Sequence, residues 1–265
     1  MPTPAAVTTG KPEPQIKRPG NGLYYLIDGV EYPRITSILN VIAKPALVPW
    51  AVKLERAHVL DVAAALYQGQ HDLPLLSNEA YRKTVTARLG APAHRQTTKR
   101  AQEIGTEAHA LVEAKMRIVL GQPGATEPVV SDEALWAAMA AEDWARANQV
   151  RPLAIEQTVW SARHRFAGTM DLFATVGAEA APMVIDYKSG KKIYAEALLQ
   201  NVAYQCAWIE MGHGPIAGGL IVRIPKDGED TECEIVRVPP IAEAWPIVEA
   251  ALTLWRWKTD HEVRA

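Results

Sequence analysis

The chain has 265 residues, 48% of them hydrophobic, which is enough for one large core or two small ones. A formal net charge of −2 gives no overall basic field for nucleic acid, although a local basic patch can still bind it. The two cysteines, Cys206 and Cys233, lie far apart, which disfavours a disulfide framework, a zinc site or a four-cysteine iron–sulfur cluster. No apolar run is long enough to cross a bilayer. We therefore expect an intracellular, cytoplasmic protein of a bacterial or phage-infected cell, without a membrane partner.

The N-terminal region begins with a segment rich in proline, glycine and threonine. Residues 1–22 are accordingly predicted to form a flexible tail. The next stretch, "LYYLIDGVEYPRIT", predicts a β-hairpin, because Asp28-Gly29 is a strong signal for a tight hairpin turn. A short helix, "SILNVIAK", is then expected, capped by Thr36 or Ser37 and ended by Pro45.

Four longer segments show apolar residues at three- and four-residue steps, the pattern of an amphipathic helix. They cover residues 46–69, 77–90, 95–121 and 131–149, and two of them begin at the caps Ser77 and Ser131. We predict that residues 23–94 form an N-terminal hairpin and helical lobe. Residues 95–265 should form the main core, in one compact domain with that lobe.

The character of the sequence changes at Val150. Two strand-like runs, 151–162 and 165–176, are joined by a short turn, and a third run, "PMVIDYKSG", is apolar until Asp186. Strict alternation along the second run places Met170 and Leu172 on one face and Asp171 on the other. A helix over 195–211, two strands at 217–225 and 232–238, and a tryptophan-rich helix complete the pattern. This order predicts an α/β fold with a central mixed sheet flanked by helices.

Asp171 and Asp186 intrude into otherwise apolar strands. Burying an unpaired carboxylate costs several kcal/mol or forces its protonation. Lys188 lies two residues after Asp186, hence on the same face of the strand, but it supplies one positive charge against two negative ones. The remainder suggests a divalent cation, Mg²⁺ or Mn²⁺. The alternative is a structural ion pair, since Glu113-Ala114-Lys115 repeats the acid-x-lysine triplet on a helix.

Four short motifs occur in a fixed order along the chain. They are Gly105-Thr106-Glu107-Ala108-His109, Gly168-Thr169-Met170-Asp171, Asp186-Tyr187-Lys188 and Gln200-Asn201-Val202-Ala203-Tyr204. Their order and predicted element types resemble the PD-(D/E)xK nuclease superfamily, in particular its RecB-like exonuclease branch. The resemblance covers roughly residues 95 to 260 and implies a restriction-endonuclease-like core.

A second resemblance lies in the N-terminal stretch. "YPRITSILNVIAKPALVPW" is similar to the P-S-[VI]-T-x-[IV]-L…W opening of certain phage nucleases and of mitochondrial genome maintenance exonucleases. This chain departs from the pattern at Arg34, where serine is usual. It also lacks the cysteine quartet of the iron–sulfur nucleases of CRISPR adaptation, so no function that depends on the cluster can be carried over.

The superfamily resemblance implies a role for each motif residue. Asp171 and Asp186 would bind the metal, with the backbone carbonyl of Tyr187 as a third protein ligand. Lys188 would hold the attacking water or neutralise charge on the phosphate. His109 would contact the metal, and its nitrogen would favour Mn²⁺ over Mg²⁺.

Gln200 and Tyr204 are four residues apart on one helix, so their side chains share a face, and the resemblance has them line the site. A purely structural role remains open for His109 as a helix histidine and for Tyr204 as a core aromatic. Glu156 is predicted either as a further acid at the site or as half of a surface ion pair.

Five basic residues in two short stretches are candidate DNA contacts or, alternatively, solvated charges: Lys191 and Lys192 after a glycine turn, and Arg95, Lys99 and Arg100 ahead of His109. By resemblance, the expected function is a metal-dependent deoxyribonuclease. We expect an exonuclease acting on single-stranded DNA or DNA ends in repair, recombination or phage DNA metabolism. The alternatives are a non-catalytic DNA-end-binding subunit of a recombination complex and an endonuclease with the same chemistry.

Overall fold

The computed structural model describes residues 14–17, 22–42, 47–68, 78–178, 181–225 and 232–262. Most of the predicted tail, together with Ser77 and Pro45, lies outside these residues. Within them the helices are α1 (Ile35–Leu39), α2 (Leu47–Gln68), α3 (Asn78–Leu89), α4 (Ala93–Val119), α5 (Asp132–Ala147), α6 (Ala195–Glu210) and α7 (Ile241–His261). The strands are β1 (Ile16–Lys17), β2 (Tyr24–Ile27), β3 (Val30–Pro33), β4 (Arg151–Ser161), β5 (Phe166–Thr175), β6 (Met183–Lys188), β7 (Gly218–Arg223) and β8 (Glu234–Arg237).

The protein is α/β, with a mixed five-stranded sheet in the order β4-β5-β6-β7-β8 and a three-stranded sheet in the order β1-β2-β3. Strands β6 and β7 are parallel and are connected through α6, whereas the other neighbours in the large sheet are antiparallel. The mixed sheet and its flanking helices were predicted from the sequence.

The small sheet contains the predicted hairpin and one unexpected strand. Asp28 and Gly29 have φ values of 49° and 78°, as a two-residue turn with left-handed backbone requires. The predicted tail is interrupted by β1, whose Ile16 pairs with Ile27 and packs against the buried Tyr25 and Tyr32. The tail prediction was therefore wrong at this point, because burial of one apolar side chain and pairing to a strand edge outweigh the polar composition around it.

Helix α1 begins one or two residues before the predicted caps. The carbonyl of Arg34 accepts the N–H groups of Ser37 and Ile38, so Arg34 takes the cap position in extended conformation. Thr36 and Ser37 are inside the helix. Ile35 and Ile38 are fully buried, and this burial in the main core sets where the short helix starts.

Two apolar clusters cover the large sheet. One joins the sheet to α1, α6 and α7, through buried side chains that include Ile35, Val202 and Val248. The other joins it to α4 and α5, where α5 presents a row of alanines that allows close approach. Helix α1 thus belongs to the main core, because its apolar side chains pack between the large sheet and helices α6 and α7.

The predicted face alternation of β5 is interrupted beside Asp171. Met170 and Phe173 both pack with α6 and α7, although residues three apart on a regular strand face opposite sides. Leu172 packs with α4 and α5, so the prediction that it shares a face with Met170 was wrong. The neighbouring strand carries the irregularity, since Glu156 has a φ of 51°, a left-handed value that is costly for a residue with a side chain.

Candidate active site

The site lies where the pairing between β5 and β6 stops. The two strands pair at Ala174↔Met183, Phe173↔Val184 and Leu172↔Ile185, and no further. The next positions in this register are Asp171 and Asp186. Instead of continuing the ladder, the Asp171 carboxylate accepts the backbone N–H of Tyr187 at 2.8 Å. We call this opening, formed by Asp171, Asp186 and Tyr187, the fork.

Three acidic residues stand in one row across three adjacent strands. In the register of β4 and β5, the pairs Ile155↔Leu172 and Gln157↔Met170 place Glu156 opposite Asp171. On its other side, Asp171 stands opposite Asp186 at the first position beyond the last β5–β6 pair. Glu156 has a left-handed backbone conformation, with a φ of 51°. Such strain in a non-glycine residue persists only where the surrounding structure enforces it, and it occurs most often at functional sites.

One ammonium group faces these acids. Lys188 forms an ion pair with Asp186, whose side chain is 1% exposed. Burial by itself would lower the pKa of Lys188, but the charges of Asp186 and Asp171 outweigh burial and raise it. Lys188 is therefore a cation at neutral pH.

Asp171 is not neutralised by that ion pair. Burial and the charge of Asp186 raise the pKa of Asp171 well above its ordinary value, against the opposing influence of Lys188 and of the Tyr187 N–H. The pair of carboxylates thus carries more negative charge than the one lysine balances. A proton or a second cation relieves this imbalance.

His109 reaches the fork from α4. Its Nδ1 lies 3.7 Å from Asp171 Oδ2, and its ring packs edge-on against Tyr187. Burial and the charge of Lys188 lower the pKa of His109, with Asp186 opposing them. The ring is therefore neutral at pH 7, which is the form that can donate a lone pair to a metal.

Gln200 and Tyr204 approach the fork from α6. Gln200 Nε2 donates to the Tyr204 hydroxyl at 2.7 Å and lies 3.4 Å from Asp186 Oδ1. Tyr204 is 2% exposed, and burial together with the charges of Asp186 and Asp171 raises its pKa, so it remains a protonated phenol. The two motif residues therefore do share one helix face and meet the carboxylate row.

The motif glycines make room for these contacts. A Cβ at Gly168 would collide with the Tyr204 ring, so glycine allows that ring to lie against β5. A Cβ at Gly105 would meet the Ser189 hydroxyl, so α4 packs closely against the end of β6 at this point. Of the two glycines, Gly168 is the one whose lack of a side chain sets the position of a site residue, Tyr204.

The donor set at the fork suits a divalent cation. Carboxylate and carbonyl oxygens with one imidazole are typical ligands for Mg²⁺ or Mn²⁺. The carbonyl of Tyr187 points to the same side of β6 as its N–H, hence towards the opening, where β5 no longer pairs with it. Among the described residues, no three His, Cys, Asp or Glu side chains converge closely enough to hold an ion by themselves. The case for a divalent cation at the fork thus rests on the carboxylates of Asp171 and Asp186, the carbonyl of Tyr187 and the negative charge that Lys188 does not balance.

Three cavities lie beside residues of the carboxylate row or beside Lys188 and Gln200, which contact it. A small one, of about 20 Å³, lies between His109, Glu156 and Asp171. A second, of about 200 Å³, is lined by Glu156, Gln200 and the N-terminal hairpin. A third, of about 230 Å³, is lined by Lys188, Gln200 and the start of α6. Gln200 lines both larger cavities, so its side chain stands between them.

The five basic candidates for DNA contact lie at two distances from the fork. Lys191 and Lys192 are exposed in the turn after β6, and Lys192 lines the cavity of about 230 Å³ with its ammonium 5.1 Å from the Tyr194 ring. The other three, Arg95, Lys99 and Arg100, are exposed on the first turns of α4. At 1.5 Å per residue they lie about 14 to 21 Å along the helix from His109.

Not all of these five charges are equally available to a ligand. Arg100 pairs with Glu133 at 2.6 Å, and Lys99 lies 3.7 Å from Glu103, so carboxylates partly neutralise both.

Sequence reasoning missed the contribution of the N-terminal hairpin. The Tyr25 hydroxyl lies 3.0 Å from Thr169 Oγ1, which is 3.3 Å from Thr158 Oγ1, and this chain of hydroxyls runs beside the acidic row. Arg34 also lines the cavity there. In the sequence, Arg34 stood out only as a departure from the phage-nuclease pattern, which did not indicate that the hairpin lines a cavity beside the acidic row.

No helix within the described parts of the chain is long and apolar enough to span a membrane. No protein-family model matches this chain, and no curated protein matches it significantly. The residues of the fork and their chemistry therefore carry the functional argument.

Proposed function

We propose that this chain is a metal-dependent deoxyribonuclease that hydrolyses phosphodiester bonds, working as an exonuclease on single-stranded DNA or DNA ends in repair, recombination or phage DNA metabolism. The observation that carries the proposal is the row of Glu156, Asp171 and Asp186 at an open strand pair, with the single ammonium of Lys188 beside it. We also propose that the large sheet with its flanking helices is a restriction-endonuclease-like core, and that DNA is the partner.

The cation would be held by Asp171, Asp186 and the Tyr187 carbonyl, with His109 as a further contact. When bound, a divalent cation lowers the pKa of a coordinated water and polarises the phosphate. The carboxylates then no longer need Lys188 as their sole counter-charge. The ammonium is thereby available to orient the attacking water or to donate to a phosphate oxygen.

In the reaction, a water oxygen forms a bond to phosphorus, and the bond from phosphorus to the 3′ oxygen breaks. The attacking water releases one proton to solvent and the leaving oxygen takes one up, so the products are a 5′-phosphate and a 3′-hydroxyl. Gln200, whose amide is bonded to Tyr204 and to Asp186, would hold the Tyr204 phenol so that its hydrogen can donate to the DNA backbone. As a neutral donor, the phenol adds a hydrogen bond without deepening the charge imbalance of the row.

The test is a digest of end-labelled linear single-stranded, linear duplex and circular single-stranded DNA, with Mg²⁺ or Mn²⁺ and with chelator. We expect linear single strands to be shortened from an end only when the metal is present. Cutting of the circle would instead identify an endonuclease. Binding of ends without any cleavage, in either metal, would contradict the enzymatic proposal and favour a DNA-end-binding subunit.

A further inference from the structure

Arg34 is the residue by which this chain departs from the phage-nuclease pattern, and its side chain has no carboxylate partner within the described residues. Arg34 is partly buried as a residue, and its guanidinium makes one long, exposed hydrogen bond, 3.5 Å, to the carbonyl of Gly22. A guanidinium that no carboxylate engages keeps its charge and its planar set of donors available to an approaching anion. The position therefore favours binding of a negatively charged group.

The space in front of Arg34 is the cavity of about 200 Å³ beside the carboxylate row. Hydrogen-bond donors line it. The Tyr204 oxygen accepts its bond from Gln200, so the phenol hydrogen remains free to donate. Thr36 adds an exposed hydroxyl. Glu156 is the one carboxylate among the lining residues. We call this cavity the Arg34 chamber.

The Arg34 chamber adjoins the fork directly. Glu156 lines both the Arg34 chamber and the small cavity that contains Asp171 and His109. Gln200 lines the Arg34 chamber and lies 3.4 Å from Asp186 Oδ1. A strand whose scissile phosphate lies at the fork would thus bring a neighbouring phosphate to Arg34.

We infer that the Arg34 chamber is a phosphate subsite for the DNA strand, which rests on the proposed function. Phosphate oxygens only accept hydrogen bonds, and the chamber offers a guanidinium, a phenol and a hydroxyl as donors. Arg34 supplies the charge and fixes the register of the strand relative to the fork. The shared chemistry is a phosphate group, either an internal phosphodiester or the terminal phosphate of a DNA end.

The side chain of Arg34 can be replaced without loss of the backbone contacts. Its N–H donates to the Leu23 carbonyl at 2.8 Å, and its carbonyl accepts from Ser37 and Ile38. None of these bonds involves the guanidinium. Arg34→Ser, the residue of the phage pattern, and Arg34→Lys should therefore melt close to the parent protein.

The first experiment measures kcat and KM for a linear single-stranded oligonucleotide with Mg²⁺ over a fourfold range of salt. Loss of one phosphate contact reduces the slope of log kcat/KM against log salt by about 0.7 for a single strand. The parent's activity should therefore fall about 2.6-fold more than that of Arg34→Ser over this range. We expect KM to rise while kcat changes little, and Arg34→Lys to keep the parental slope.

A matched control is Arg146→Ser, which removes the same charge from an exposed position on α5, where Arg146 pairs with Glu142. This variant should retain the parental KM and salt slope. If Arg146→Ser and Arg34→Ser change both quantities equally, the effect is one of net charge and the subsite does not exist.

The second experiment locates the phosphate. Oligonucleotides carry one uncharged methylphosphonate at successive positions, or end in a phosphate or a hydroxyl. An internal subsite predicts that one methylphosphonate near the cut weakens the parent and has no further effect on Arg34→Ser. A terminal subsite predicts that the parent prefers phosphorylated ends and that Arg34→Ser loses this preference.

The two proposals fail in different ways. A parent protein that cuts no DNA in either metal contradicts the proposed function itself. A parent that cuts DNA, while Arg34→Ser matches it in KM, in salt slope and in response to every modified oligonucleotide, overturns the subsite alone.

Discussion

The two sides of β5 are built differently. Towards β4 the ladder runs from Arg151↔Thr175 to Ser161↔Phe166, with a shift near one end. Towards β6 it ends after three pairs, at Leu172↔Ile185. A continuous ladder satisfies its backbone groups by itself, whereas an interrupted one needs other partners. Where the β5–β6 ladder ends, the Asp171 side chain replaces a backbone carbonyl as the acceptor for the Tyr187 N–H. The interruption therefore places polar side chains inside a largely apolar sheet.

Two carboxylates illustrate the same contrast. Asp171 accepts the Tyr187 N–H at 2.8 Å, and Glu107 on α4 accepts the Ser131 N–H at 2.9 Å. Bonds from the Ser131 hydroxyl and N–H lower the pKa of Glu107, but burial and the charge of Asp186 raise that of Asp171. The two pKa values shift in opposite directions despite similar hydrogen bonds, because Asp171 is buried beside a second carboxylate, whereas Glu107 stays partly exposed.

The largest effect is expected from removing the ion pair at the fork. Asp186→Ala or Lys188→Ala should abolish detectable cleavage, because losing a charge that acts on the reacting group typically costs at least about 10²–10³-fold in rate. The measurement is the initial rate of digestion of labelled single-stranded DNA, with circular dichroism to establish that the variants remain folded. Both variants cutting at the parental rate would show that the fork is not the site.

Lys115→Ala is the matched control for Lys188→Ala. Lys115 belongs to the second acid-x-lysine triplet, on α4, and pairs with Glu142 at 2.9 Å and Glu127 at 3.3 Å. Because these partners lie outside the fork, cleavage should continue at the parental rate. A loss of activity equal to that of Lys188→Ala would remove the distinction between the two triplets.

The next effect is stabilisation by metal. A cation that binds only the folded protein adds about 2.7 kcal/mol at a hundredfold excess over Kd. Mn²⁺ or Mg²⁺ should therefore raise the Tm in a thermal melt. Asp171→Asn should blunt the rise, while its metal-free Tm should equal or exceed the parental Tm, because an amide oxygen still accepts the Tyr187 N–H and a buried negative charge is removed. A parental Tm that neither ion changes would contradict a metal site.

Gly168→Ala should disturb the site through packing. The new methyl group would collide with the Tyr204 ring, and such overpacking typically costs about 1–3 kcal/mol. Displacing Tyr204 breaks its bond with Gln200, so cleavage should fall as well as stability. Gly121→Ala is the control: its φ of 68° gives a comparable strain of about 1–2 kcal/mol, but no atom lies near the new methyl group. Equal activity in both variants would argue against a positioning role for Gly168.

The smallest effect concerns Glu107 and tests the contrast with Asp171. Since the folded state lowers the pKa of Glu107 below 4.5, its stabilisation is complete above that value and is lost as pH falls through the folded pKa. Glu107→Gln should therefore lower the Tm slightly at pH 7, and the difference should vanish in acid. Ser131→Ala, which removes the hydroxyl donor, should reduce the same pH dependence. A Tm difference independent of pH would contradict this assignment.

Local pattern was sufficient for much of the fold and for the members of the site. The helix predicted over 195–211 is α6, Ala195–Glu210, and the strands predicted at 217–225 and 232–238 are β7 and β8. Gln200 and Tyr204 were expected on one face of their helix, and they hydrogen-bond to each other there. Apolar periodicity, caps and turn residues act over a few residues, so the sequence by itself determined these elements and the pairing of neighbours along them.

Only the tertiary structure decided how distant segments meet. It placed β1 on the edge of β2, ended the β5–β6 ladder at Leu172↔Ile185, and exchanged the faces of β5 beside Glu156. It also brought Arg34 to the carboxylate row. Each of these features depends on packing between residues far apart in sequence, where burial and charge outweigh local preference. The physical reason is that a strand's own residues specify its alternation, but its neighbours specify where the alternation breaks.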